Sequence, residues 1–226
     1  MNRHHVFVKI LGLGLVLGLT LAGCRSTEPP VEDIQIIKNT AEASSKPRSS
    51  QLKSKLGMSK EKLEMPPLTN PNPGTFSRFT TLDIHGKRFD ESVFKSKKLT
   101  VLNVWGTFCP PCVHEMPALG RLSKSFATSD VQIIGLVLDV IGTGNTYAED
   151  RLVQAESIIE QTGADYPHLL PSPDLFAAYL NQVQSLPTTL FVDEKGLIQK
   201  QIIGARSEAD WEALIKQALE QVDHES

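Results

Sequence analysis

Trp105-Gly106-Thr107-Phe108-Cys109-Pro110-Pro111-Cys112-Val113-His114-Glu115-Met116-Pro117 is the stretch whose reading decides the fold. Only two prolines separate its cysteines. Upstream, Leu99 to Trp105 is a compact apolar run interrupted only by Thr100 and Asn103, the pattern of a buried central strand. Downstream, Met116, Leu119, Leu122 and Phe126 recur at three- and four-residue spacing, which predicts a helix from Cys109 to about Phe126. The cysteines therefore sit where a strand hands over to a helix. Cys109 falls at the N-cap or in the first turn, where free N–H groups and the helix dipole favour a thiolate. Cys112 lies on the same helical edge, so the two sulfurs can meet.

Such a pair can be a metal clip, a structural staple or a redox couple. A tetrahedral zinc site needs about four ligands, and the chain offers neither a second cysteine pair nor a spaced histidine pair. His114 and His168 stand alone and read as surface residues. Copper delivery through Cys109, Cys112 and a distant histidine stays open. A disulfide closing so short a loop contributes little chain entropy, so stability is a poor reason for one. Redox exchange fits best: one thiolate attacks a partner disulfide and the other resolves the mixed disulfide. The first cysteine is the more exposed end of such a turn, which makes Cys109 the nucleophile and Cys112 the resolving thiol.

Further elements flank this unit. Phe79 to Ile84 alternates and ends at a His85-Gly86 turn, after which Lys87 to Phe89 returns as a short hairpin. Val131 to Leu138 reads as a second buried strand. Glu149 to Gln161 reads as a helix closed by Gly163. Asp174 caps a short helix over Leu175 to Leu180. Thr188 to Val192 and Leu197 to Ile203 form a hairpin about Glu194-Lys195-Gly196, and Ser207 caps a final amphipathic helix bearing Trp211, Leu214, Ile215, Ala218 and Leu219. Gly142-Thr143-Gly144-Asn145 lacks the Lys and Ser/Thr of a phosphate loop and reads as a connection. The order predicts an α/β fold, a central mixed β-sheet flanked by helices on both faces.

The 226 residues carry a net charge of −3 and no basic patch, which excludes a nucleic-acid footprint. Residues 1–23 read as a signal segment: Arg3 and Lys9, then an apolar run from Ile10 to Leu21, too short for a comfortable membrane span. Leu21-Ala22-Gly23-Cys24 looks like a bacterial lipobox, whose cysteine receives a diacylglycerol before cleavage. A doubly or triply acylated Cys24 would anchor the protein stably outside the cell membrane, where disulfides form. Residues 24–73, rich in Ser, Lys, Glu and Pro, read as a flexible tether of roughly 40 Å root-mean-square span, in which 51–64 has some helical character. The folded domain is then 74–226, beginning in earnest near Phe76.

Trp105, Cys109-Pro110-Pro111-Cys112, Glu115 and Pro117, with the distant Leu186-Pro187-Thr188-Thr189 and Gly196, resemble the TlpA-like and ResA-like branch of the thioredoxin superfamily. The resemblance spans roughly Phe76 to Gln221 and implies a thioredoxin-like fold in a membrane-anchored, extracytoplasmic thiol–disulfide oxidoreductase without cofactor or metal. It implies a redox disulfide Cys109–Cys112 and a cis Pro187 whose neighbours pair with a substrate strand. It further implies substrate contacts from Trp105, Phe108, Pro110, Pro111, Leu186 and Pro187. Glu115 would handle the proton of Cys112, since Asn103 stands where cytosolic thioredoxins carry a buried Asp. Phe108 replaces a frequent Trp and keeps the surface around the sulfur apolar.

Pro110 and Pro111 remove two N–H donors from the neighbourhood of Cys109, and no His or Lys lies between the cysteines. A poorly stabilised thiolate makes a reducing couple. The expected activity is therefore reduction of disulfides in exported proteins, as ResA-like relatives do for apocytochrome c and others for methionine sulfoxide reductases. An integral membrane thiol carrier would supply electrons to a monomer. A disulfide-forming oxidase shares every motif, and a surface binding lipoprotein of the same fold is a non-enzymatic alternative. A thiol peroxidase fits less well, because Thr107 precedes Cys109 by two residues and not three.

Overall fold

A computed structural model describes residues 64–69 and 74–225. The signal segment, Cys24 and residues 51–63 of the expected tether lie outside the described residues. A five-stranded sheet in the order β5-β4-β3-β6-β7 forms the centre. Its strands are β3 (Leu99–Trp105), β4 (Val131–Val137), β5 (His168–Leu169), β6 (Thr188–Asp193) and β7 (Ile198–Ile203). β3 runs parallel to β4, and β4 to β5, while β6 is antiparallel to both β3 and β7. A separate hairpin, β1 (Thr80–Leu82) with β2 (Arg88–Asp90), precedes the sheet. The helices are α1 (Pro110–Ser125), α2 (Glu149–Thr162), α3 (Pro173–Ala178) and α4 (Glu208–Glu225).

β3 is central and covered on both faces, so all seven of its residues are buried and it reads as a near-continuous apolar run. Alternate residues still part company. Leu99, Val101 and Trp105 join Met116, Leu119 and Leu122 of α1, Leu152 and Ala155 of α2, and Trp211 and Ile215 of α4. Leu102 and Val104 face the other way, toward Phe76, Phe79, Phe94 and Leu175 of α3. Each of the Leu, Val, Ile, Phe and Met side chains among these contributes about 1.5–3 kcal/mol on burial. The expected mixed sheet with helices on both faces is therefore the observed architecture, one α1–α2–α4 layer and one layer of α3, the hairpin and the aromatic cluster.

Three local expectations are corrected. Met65 is buried, and it exchanges hydrogen bonds with Asn145, from its own N–H (3.0 Å) and to its carbonyl (3.1 Å). Thr69 is likewise tied through its N–H and hydroxyl to Asp174 (2.6 and 2.7 Å). Residues 64–69 are thus packed on the domain and not part of a free tether that ends at Pro73, with Met65 docked on Asn145 and Thr69 on Asp174. Asp174 does not cap α3. Ser172 does, accepting from Leu175 N–H (3.3 Å), while the buried Asp174 also accepts from Thr80 N–H (3.0 Å). Asp174 gathers donors from two remote segments, which no local pattern reveals. The third, His168, is buried and not at the surface. β5, only two residues long, has too little sequence for a periodicity.

Candidate active site

The strand-to-helix turn after β3 carries the cysteines. Cys109 has extended backbone and is the N-cap of α1, with Pro110 and Pro111 filling its first positions, where no intrahelical N–H is needed. Cys109 and Cys112 are joined by a disulfide. Cys109 keeps 5% of its surface exposed and Cys112 none, so a partner reaches only the first sulfur. Among the described residues, the donor to Cys109 Sγ is the Cys112 N–H (3.3 Å).

The turn is held from below by Asp139, at the carboxyl end of β4. Its carboxylate accepts from Thr107 N–H (2.9 Å) and Thr107 Oγ1 (2.6 Å), and Arg151 Nη1 lies 3.3 Å from Oδ2. Space at Gly106 is tight, because a Cβ would come within 3.1 Å of the Phe108 ring, 3.2 Å of Leu186 and 3.3 Å of Asp139 Oδ1, so these side chains would have to shift by a few tenths of an ångström. The sequence marks Asp139 only faintly, as an acid just after a buried strand, at the end where α/β sheets bind ligands.

The Leu186–Pro187 peptide bond is cis. Pro187 is buried, and its carbonyl accepts from Gly204 N–H (2.9 Å). Leu186, half-buried, reaches over Gly106 toward Phe108. Phe108, Cys109, Pro111, Leu138, Val183 and Leu186 line a groove of about 430 Å³ that also takes in Gln184 and Ser185. Among the described residues, none that lines it is charged. Phe108 is 68% exposed, and Pro110 and Pro111 are exposed beside it. Trp105 departs from expectation. It is fully buried and its indole N–H points inward to His168 Nδ1 (3.1 Å), so it cannot touch a docked substrate.

Beneath α1, one turn beyond Cys112, Glu115 is almost wholly buried. Its Oε1 accepts from Asn103 Nδ2 (2.9 Å), and its Oε2 accepts from Trp211 Nε1 (3.1 Å) and Arg206 N–H (3.2 Å). Asn103 also donates to Thr189 Oγ1 (2.9 Å). Burial pushes the Glu115 carboxyl above its usual range, against the opposing pull of the Asn103, Arg206 and Trp211 donors. Tyr166 lies near enough that burial and the Glu115 charge both push its phenol upward. His168 donates from Nε2 to Ala164 O (2.9 Å), and burial holds its imidazole down to about 4. His114 is exposed on α1. The arrangement can open and close one sulfur bridge at the surface while a buried carboxyl stands one turn behind the inner sulfur.

Comparison with known proteins agrees with this geometry. The Redoxin family model matches residues 62–215. The chain belongs to the Redoxin family. Within that family it is 31% identical over 134 residues to the thioredoxin-like protein YneN of Bacillus subtilis, covering 59% of this chain and 72% of that protein. It is 30% identical over 145 residues to the thiol-disulfide oxidoreductase ResA of Geobacillus thermodenitrificans, covering 64% and 74%. A crystal structure of a thiol:disulfide interchange protein from Chlorobium tepidum superposes with a TM-score of 0.54 at 25% identity, over 68% of this chain and 99% of that one. This Redoxin-family chain is a ResA-like thiol–disulfide oxidoreductase with a thioredoxin-like fold, and Cys109–Cys112 is its CXXC disulfide.

Proposed function

We propose that the protein works as a reductant of disulfides in exported proteins, held at the outer side of the cell membrane by lipid on Cys24. The observation that carries this reading is the thin support of the Cys109 sulfur. Pro110 and Pro111 occupy the helix positions whose N–H groups would otherwise face a thiolate, and the Cys112 N–H is the donor that remains. A thiolate so weakly held does not favour the reduced form, and such a couple tends to give its electrons away.

In this reading Cys109 thiolate attacks a sulfur of the partner's disulfide, whose other sulfur leaves. Cys112 then attacks Cys109 in the mixed disulfide and frees the partner as a dithiol. Glu115 takes the Cys112 proton as that sulfur becomes a nucleophile. Phe108, Pro110, Pro111 and Leu186 supply an apolar rim, and the backbone beside cis Pro187 pairs with an extended partner segment. Apocytochrome c and methionine sulfoxide reductases are the partner types that the family resemblance brings forward, with a membrane thiol carrier returning electrons to a monomeric enzyme.

The test is covalent capture in the native host. Cys112→Ser leaves Cys109 free to attack and removes the resolving thiol, so mixed disulfides accumulate through Cys109. Mass spectrometry is expected to identify exported, disulfide-bearing proteins in the membrane fraction, and Cys24→Ala to move the protein out of that fraction. Capture of cytosolic proteins alone, or a Cys24→Ala protein that stays with the membrane, contradicts the corresponding half of the proposal.

A further inference from the structure

We infer that His168 is a positioning residue of the redox centre, acting on the cysteine turn through the Trp105 indole. The sheet register puts Asn103 of β3 beside Gly135 of β4, and Gly135 beside His168 of β5. Gly135 leaves the space that the imidazole occupies. A Cβ there would stand 2.1 Å from His168 Nδ1 and 2.6 Å from Cε1. The ring therefore lies across β4 and meets the Trp105 N–H, which belongs to the strand two positions away in the sheet. A glycine inside a buried strand commonly marks such a close approach.

The contact fixes chemistry as well as place. An indole N–H only donates, so Nδ1 must accept and Nε2 must carry the proton that it gives to Ala164 O. Tyr166 stacks on the imidazole, with ring centroids 4.6 Å apart. A leucine or phenylalanine could fill this space without any need for polar partners. A buried imidazole with both nitrogens satisfied does something an apolar residue cannot: it holds Trp105 in one orientation. Trp105 shares a buried cluster with Cys109, Cys112 and Met116. It is also the last residue of β3 before the turn in which Cys109 N–H donates to Gly106 O (3.1 Å). Fixing Trp105 fixes the root of that turn.

The consequence is redox, and it holds whichever way electrons run in the cell. In the exchange, two cysteine thiols pass two electrons and two protons to a partner disulfide. The Cys109–Cys112 bond forms as the partner's bond breaks. The closed form is favoured in proportion to how well the two sulfurs are held together. A loosened root lets them spread and favours the dithiol.

The measurement is the equilibrium of the purified wild-type and variant proteins with glutathione. His168→Leu removes the acceptor and is expected to shift the equilibrium about tenfold toward the dithiol, about 30 mV. His168→Asn keeps an acceptor near the Nδ1 position and is expected to stay within about twofold of wild type, although it loses the stacked ring and melts earlier. Equal shifts in the two variants, or no shift in either, overturn the proposal and leave His168 a packing residue. If His168→Leu does not fold, the wild-type protein decides. The His168 Nδ1 and Trp105 indole resonances are expected to move together on reduction, and a His168 resonance that does not respond overturns the proposal.

Discussion

The redox site has a rim and a floor, and they are built on opposite principles. The rim is apolar and open: Phe108 stands 68% exposed beside Pro110, Pro111 and Leu186, and among the described residues none that lines the groove is charged. The floor is polar and closed: Asn103, Glu115 and His168 are buried in the apolar layer between sheet and helices, joined by donors from Trp211, Trp105 and the Arg206 backbone. Exposed apolar surface is suited to partners whose sequences differ, because it demands little geometry. Buried polar groups that are paired hold one arrangement, and among these three side chains every polar atom but Asn103 Oδ1 has a partner. Adaptable contact outside and fixed chemistry inside meet at a disulfide whose one sulfur belongs to each.

That contrast can be broken from either side. The largest effect is expected at the sulfurs themselves. Cys109→Ser should lower the rate of disulfide reduction in a turnover assay by about a thousandfold or more, because the attacking thiolate is gone. Cys112→Ser should stop turnover yet leave a stoichiometric burst of mixed disulfide. A burst of equal size from Cys109→Ser would exchange the two roles.

Glu115→Gln comes next. Three N–H groups point at the carboxylate, so an amide must turn its own NH2 against at least one donor. The resolution step is expected to slow by about a hundredfold, within the range of a lost general base. Its acid limb in wild type should lie above the ordinary carboxylate range, since burial raises the Glu115 pKa, and should vanish in the variant. An unchanged pH–rate profile would remove Glu115 from proton handling. The same raised pKa has a stability side: the folded state holds this proton more tightly than the unfolded one. Its contribution is therefore fully present below the unfolded pKa and lost as pH rises through the folded one.

His168 acts with the opposite sign. Its imidazole is held neutral, down to about 4 from 6.5, so the unfolded chain binds the extra proton. The stability this residue carries is present above about pH 6.5 and lost as pH falls toward 4, about 3 kcal/mol in full. Chemical denaturation of wild type and His168→Asn across that window should show the difference closing as pH falls. A difference independent of pH would mean that His168 is not buried neutral. The smallest effect belongs to the rim. Phe108→Ala should raise KM for a protein substrate about threefold, with stability changed by no more than about 0.5 kcal/mol. A large fall in kcat instead would give Phe108 a part in the chemistry.

Rim and floor also differ in how far they could be read from sequence. β3, α1 and the β6–β7 hairpin were legible, because an apolar run, a helical spacing and a Glu-Lys-Gly turn are all local patterns. Cys109, Cys112 and cis Pro187 came with a motif and the resemblance it carries. Nothing local in the sequence shows that Trp105 turns inward or that His168 is buried, since their partnership joins positions 63 residues apart through a two-residue strand. Asp174 looked like a cap because Asp before a short apolar run usually is one, yet its partners Thr69 and Thr80 come from remote segments. Asp139 left only a faint signal. Gly135 within an apolar strand was the one visible trace of the imidazole packed against it.

The claim on which the reading rests is that the Cys109–Cys112 couple gives electrons away. Its midpoint potential, measured by equilibrating the purified domain with reference thiol–disulfide buffers, tests this directly. The value expected lies closer to the thioredoxin range, about −270 mV, than to the strongly oxidising periplasmic range, about −120 mV. A value near the oxidising end would contradict it and make the protein a disulfide-forming oxidase on the same scaffold.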